Sequence, residues 1–361
     1  MVTWMSRLGV PRRTGHVFRR TMPAVVIAVL VAAAAGLFAG SYSFNLAHPT
    51  PHRVPVGTVA HDHVSERFIT AWDDRLHTEL VMRVYPDEAS ALRAVDTQEV
   101  FALVRHKTGS DRDVALQLVP AAGASVARVL QQQAPAAARA VGVSLHTTEL
   151  RPLQAGDPQG LAIFYITLAA VVLGFIGAAQ LSAHAGQLRL RERVLAIACY
   201  SALGALAICA VVDWMLHVLD LPVVESWAIL AFTMLTCGLV FTAFHVLVGR
   251  WAILPTWLLL VMVGNPASGG AVSSPLLPEP TRSLGRWLPP GASVSAQHTA
   301  IYFNDHQYVT PFLTLTVWCT AAATTAWVWR RRRCPTPSAK ETQARHTERF
   351  IESRAEKDKC P

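Results

Sequence analysis

The sequence predicts an α-helical polytopic membrane protein of six spans, arranged one plus five, with a small α/β extracytoplasmic domain between spans 1 and 2. Three observations predict it. Residues 161–333 hold five long apolar runs with almost nothing soluble between the first four. A separate apolar run at 23–40 follows a basic N-terminus, and residues 41–160 mix acids and bases as a soluble domain does. A chain that is 52% hydrophobic and only 16% charged belongs with membrane proteins on composition alone.

Residues 1–22 carry Arg7, Arg12, Arg13, Arg19 and Arg20 and no acid. The run 23–40 is long enough to cross as an uncleaved first span; a cleavable signal sequence, with small residues near 39–41, is the alternative. The five later runs fall at 161–181, 194–216, 227–248, 251–271 and 311–328. Each has about the ~20 apolar residues that span a hydrocarbon core as a helix.

Between them, 54–60, 79–85, 100–105 and 114–119 read as strands. Residues 63–76 carry Val64, Phe68, Trp72 and Leu76 on one helical stripe, 87–95 read as a helix capped by Asp87, and 125–141 as a helix despite Pro135. The order β-α-β-α-β-β-α gives a small α/β domain.

The chain has a net charge of +8, and more than half of its 32 Lys and Arg fall in 1–22, 182–193, the 249–250 turn and 329–361. The loop 218–226 has no Lys or Arg. This placement is an orientation signal, not a nucleic-acid footprint: both termini and the tail 334–361 face the cytoplasm, and 41–160 lies outside. No nucleic acid is expected as a partner. Membrane lipids are.

The stretch 264–308 has low charge, many prolines and small residues, and apolar side chains that need burial. It reads as an outer or re-entrant loop, a structured cap in which Asn265, Pro266, Trp287, Pro289, Pro290 and Tyr302 are the candidate residues. An ordinary outer loop is the alternative. Asp213 and His217, four apart near the outer end of the third span, and His245 near the inner end of the fourth are candidates for a polar path, because ionisable groups inside spans are costly.

No enzyme chemistry is expected. None of the four lysines (Lys107, Lys340, Lys357, Lys359) follows a glycine, so no Walker A loop is present. The outer domain shows no Gly-x-Ser-x-Gly elbow. His61-Asp62-His63 has ligand chemistry but no third ligand at a fixed spacing, so neither a metal nor another cofactor is expected. The cysteines avoid 41–160, which argues against a disulfide framework there.

Several stretches resemble the large-ectodomain branch of the ABC transporter type 2 permease superfamily, which includes phage-infection-protein-like membrane proteins. Val54-Pro55-Val56-Gly57-Thr58-Val59 resembles that branch's opening strand. The nine residues from Asp87 to Val95, followed by Glu99-Val100-Phe101-Ala102-Leu103-Val104, are similar to its helix-then-strand signature. Gly264-Asn265-Pro266, Leu288-Pro289-Pro290-Gly291 and Tyr302-Phe303 resemble the loop before its last span. Ala60-His61-Asp62-His63 departs from the shorter turn of many relatives. The resemblance implies a permease-like subunit of an ABC-type exporter in the cytoplasmic membrane. It also implies a dimer with itself or a similar permease, and a separate ATPase. The alternative is a non-transporting membrane protein whose outer domain binds a secretion component, an envelope factor or a phage.

Overall fold

The structure is a computed structural model that describes residues 14–46, 51–59, 62–76, 79–106, 112–303 and 306–333. His61, most of the basic N-terminal stretch and the tail 334–361 lie outside the described residues.

The α/β part runs β1 (Val54–Val59), α2 (His63–Leu76), β2 (Leu80–Tyr85), α3 (Glu88–Asp96), β3 (Ala102–His106), β4 (Asp113–Leu118), α4 (Ala124–Val141) and β5 (Ser144–Glu149), after a first helix α1 (Thr14–Leu46). Its five-stranded sheet has the order β2-β1-β3-β4-β5 and is parallel except between β3 and β4. Side chains alternate across a strand. Val54 and Val56 of β1, Ala102 and Val104 of β3, and Val114, Leu116 and Leu118 of β4 therefore share one face. They are buried there with Phe68, Ile69 and Trp72 of α2 and Val126 and Leu130 of α4. The opposite face buries Leu103 with Ala91, Ala94 and Val95 of α3.

Two aspartates start helices here. Asp87 accepts a 2.6 Å bond from the Ser90 N–H at the head of α3. Asp62 accepts from the Val64 and Ser65 N–H groups and from the Ser65 hydroxyl, at 3.2, 3.0 and 2.8 Å. Partial burial pushes its carboxyl up, but the Ser65 and Val64 bonds and nearby His106 outweigh that and hold it below the ordinary carboxylate range. Asp62 thus serves as a helix cap. Among the described residues no group of three His, Cys, Asp or Glu side chains could hold a metal ion.

Strand β5 was not expected from the sequence. Ser-Leu-His-Thr-Thr-Glu has no apolar alternation, and the strand exists through its parallel ladder with β4 at the sheet edge. The core also takes in residues from far along the chain: Val272, Leu276 and Leu277 join the α2/α4 face, and Phe303 joins the α3 face.

Among the described residues, five helices are long and apolar enough to cross a membrane: Ala24–Asn45 within α1, α5 (Ala162–His184), Leu190–Met215, Val223–Trp251 and Val309–Arg332. The third of these is α6 (Leu190–Cys209) continued by a wider π turn. The fourth begins with α7 (Val223–Val248), and the fifth lies within α11 (Val309–Arg333). α7 is the centre of the bundle, packed by α5, α6 and α11. α5 can approach it because Gly174 has no side chain: a Cβ there would stand 2.6 Å from the Met234 carbonyl oxygen. Small residues at a crossing let two backbones come close, as they do inside membranes. The Tyr200 hydroxyl of α6 donates to the Gly174 carbonyl at 2.6 Å.

The expected span at 251–271 is corrected. In its place stands a short apolar helix, Ile253–Val263, of which α8 (Ile253–Trp257) is the first part. At ~1.5 Å per residue it covers about half of a ~30 Å hydrocarbon core. The helix stops where the sequence stops favouring one. Pro266 brings no N–H, and Gly269 takes a left-handed φ of +81° that turns the chain back. Short 3₁₀ turns at Pro266–Ser268 and Ser274–Leu276 follow, then α9 (Glu279–Gly285) and α10 (Pro289–Tyr302).

Candidate functional site

The helix Ile253–Val263 and α10 lie along α7 one after the other. Leu260 and Val261 pack in one cluster with Cys237, Leu239, Val240, Phe241 and Ala243 in the second half of α7. α10 covers the first half. The hydroxyls of Ser293 and Thr233 are 2.8 Å apart, the Gln297 amide donates to the Ser226 carbonyl at 2.8 Å, and Gln307 beyond α10 donates to the Glu225 carboxylate. The two pieces meet where a Cβ on Gly264 would stand 2.9 Å from Pro290 Cγ. The two pieces run end to end beside α7, with residues 265–288 looping out from the break between them.

The break is tightly built. Asn265 is fully buried and donates through its amide to the Tyr42 hydroxyl of α1 at 2.7 Å; Phe38 of α1 stacks on Trp257 with ring centroids 5.9 Å apart. Pro266, Pro289 and Pro290 are buried beside it. Around the break runs a set of buried, uncharged polar side chains: Thr167 of α5, Ser226, Thr233 and Thr236 of α7, and Ser293 and Gln297 of α10. Among the described residues, Asn265 Oδ1, Gln297 Oε1, Ser226 Oγ and Thr167 Oγ1 are buried without a protein hydrogen-bond partner. A buried polar atom left so costs about 1–3 kcal/mol, so such groups mark places where something besides packing is at stake.

The ionisable candidates are not brought together. Asp213 is half-exposed and His217 exposed at the end of α6 nearest the α/β domain. His217 has a left-handed φ of +48°, beside the 154–157 linker. His245 is half-buried near the opposite end of α7, stacked on Phe241 at 5.8 Å and close to Arg193 and Arg330. Arg193 is itself buried and donates to the Ser182 hydroxyl at 2.7 Å. The buried, uncharged seam involves neither of these ends' ionisable candidates. Sequence reading missed the seam because single Ser and Thr hydroxyls barely lower the hydropathy of an apolar run, and which polar side chains meet depends on how the helices pack. The signal that was present is the run of small and polar residues from Gly291 to Thr299.

Above the break, a cleft of about 830 Å³ opens between the α/β domain and the 265–311 stretch. The two sides are tied across it. The Gln98 amide donates to the Thr299 hydroxyl at 3.2 Å, and the Ser125 hydroxyl accepts from the Ser273 N–H at 2.8 Å. The Tyr308 hydroxyl donates to the Thr97 carbonyl. Tyr302 and Pro311 line the cleft, while Trp287, two-thirds exposed, flanks it and accepts on its carbonyl from Trp318 Nε1 at 2.7 Å.

Compared with protein-family models, curated proteins and solved structures, the chain matches none.

Proposed function

We propose that the chain is the permease-like, membrane-embedded subunit of an ABC-type exporter that draws its ATPase from another polypeptide. The observation that carries this reading is the interrupted crossing at Gly264/Pro290, set in a buried, uncharged polar seam. Membrane transporters commonly form solute sites where helices break near mid-depth, because the broken backbone and small polar groups offer hydrogen bonds that an unbroken apolar helix lacks. The residue resemblance to type 2 permeases supports the same class. On this reading the seam passes or gates an uncharged polar portion of a solute, and a second copy or a similar permease completes the path. The protein sits in the cytoplasmic membrane. With Ile253–Val263 and α10 counted as one crossing, it crosses six times, so both termini share a side; the placement of the basic residues makes that side cytoplasmic and puts the α/β domain outside.

Two measurements test it. Reporter fusions after Arg189 and Arg333 should read cytoplasmic, and one after Asp220 should read extracytoplasmic; an extracytoplasmic signal at Arg189 would invert the topology. Gentle affinity purification of the full chain should bring down a nucleotide-hydrolysing subunit, and the complex should hydrolyse ATP. Purification that repeatedly yields the chain without an ATPase, from cells that make it at native level, would sink the exporter reading.

A further inference from the structure

We infer that the cleft between the α/β domain and α10 is a binding site for an anionic amphiphile: a molecule with a carboxylate or phosphate head and an apolar body. This goes beyond the transport reading and stands on the cleft's own lining.

The volume, about 830 Å³, lies within the ~300–1,000 Å³ usual for small-molecule sites. The charge of the walls is one-sided. Arg53, Arg83, Arg128, Arg282 and Arg286 line the cleft against only Glu99 and Glu279. Both glutamates are already engaged, Glu99 by Arg83 at 3.1 Å and Glu279 by Arg282 at 3.2 Å. Arg128 donates to the neutral Gln159 amide oxygen at 2.9 Å, and Arg53 and Arg286 have no ion-pair partner among the described residues. Three guanidinium groups therefore remain for an external anion. Arginine suits that task, since its planar fork matches carboxylate and phosphate oxygens.

The backbone points to the same place. Three non-glycine residues in the described chain have positive φ, and two of them, Arg53 at +50° and Gln98 at +54°, line this cleft. Such conformations cost about 1–3 kcal/mol each and persist where the surroundings hold them, often at ligand sites. Gln98 is held by its bond to Thr299 of α10.

The apolar half of the ligand follows from the rest of the wall. Phe101, Val81, Leu161, Ile163 and Val294 share the cleft with the arginines. Leu284 and Trp287, on either side of Arg286, are exposed. A fully hydrophilic polyanion would leave these groups uncovered, whereas an amphiphile covers both kinds of wall. The apolar spans directly below give it access from a bilayer, where Trp and Arg sit at headgroup level.

The test uses the full-length protein in phosphatidylcholine nanodiscs and 11-(dansylamino)undecanoic acid, whose emission rises on leaving water. Saturable binding is expected, with the neutral methyl ester of the same probe weaker by about tenfold or more, as expected on losing a charge-assisted pair. The R53Q/R286Q double variant should weaken the acid by a similar factor and leave the ester unchanged, and the R53K/R286K variant should recover most of the loss. Ser295→Trp, which fills the cleft from α10, should weaken both probes. Displacement by unlabelled fatty acid or anionic lysophospholipid but not by inorganic phosphate assigns the ligand to the lipid phase; displacement by inorganic phosphate assigns it to a soluble phosphorylated amphiphile. Equal affinity for acid and ester, indifference to both R53Q/R286Q and S295W, or stronger displacement by an acidic hexapeptide than by any amphiphile would overturn the inference. None of these outcomes depends on an ATPase.

Discussion

Trp72→Ala is expected to destabilise the α/β domain by about 3–5 kcal/mol, the usual range for deleting a buried large aromatic. Trp72 is completely buried, lies 5.4 Å from the Phe68 ring, and donates from its indole nitrogen to the Leu130 carbonyl at 3.2 Å. It therefore joins α2 to α4 over the central strands. Alanine removes the packing, opens a cavity and leaves a buried carbonyl without its donor. Against a total domain stability of ~5–15 kcal/mol, the loss is large enough to populate opened domain at growth temperature. Limited proteolysis of the full-length protein in detergent should show cleavage within 51–149 at a much lower protease dose. Trp72→Phe, which keeps one aromatic ring but loses part of the indole's volume along with its bond to Leu130, should lie between wild type and the alanine variant. Wild-type resistance in the alanine variant would mean that this side chain is not at the centre of the core.

Gly285→Ala is expected to destabilise the break between Ile253–Val263 and α10 by about 1–3 kcal/mol, toward the upper end, because the obstruction is main chain and not a side chain that can rotate away. A Cβ on Gly285 would stand 1.9 Å from the Ala267 carbonyl oxygen, and one on Gly291 only 2.1 Å from the Gly285 carbonyl oxygen. The turn at 266–268, the end of α9 and the start of α10 thus touch backbone to backbone. The control is internal: Gly36 and Gly40 of α1 have open space where a Cβ would go. In detergent, G285A should melt several degrees lower and elute less homogeneously than wild type, and G36A and G40A should match wild type. If all three behave alike, the close approach described at 267/285/291 is wrong.

Most of the architecture was legible because it follows from periodicity and length. The stripe Val64, Phe68, Trp72 gave α2, Asp87 gave the head of α3, and apolar runs gave α1, α5, α6, α7 and α11. The reading went wrong at 251–271, where hydropathy alone does not see a chain reversal: Gly264, Pro266, Gly269 and Gly270 add little polarity but end the helix. It missed β5 because an edge strand needs only a partner ladder and not an apolar face. The seam of Thr233, Ser293 and Gln297 was hidden for a related reason, since its meaning depends on which helices meet. The cleft arginines were invisible as a group. Arg53, Arg128 and Arg286 lie far apart in sequence, and only the seating of 265–286 on the sheet domain assembles them.

That seating sets the order in which the protein can be made. The sheet domain's own strands end at Glu149, yet Val272, Leu276 and Leu277 close one of its faces and Phe303 the other. A ribosome adding ~5–20 residues per second needs on the order of ten seconds or more to pass from the last strand to Phe303, and three apolar helices are inserted in that interval. Through that delay the nascent domain carries bare apolar patches at the membrane surface, where aggregation or capture by a holdase competes with waiting. Final closure of the domain and docking of the 265–303 stretch then become a single event, and a domain excised at residue 160 would lack the side chains that close its two faces.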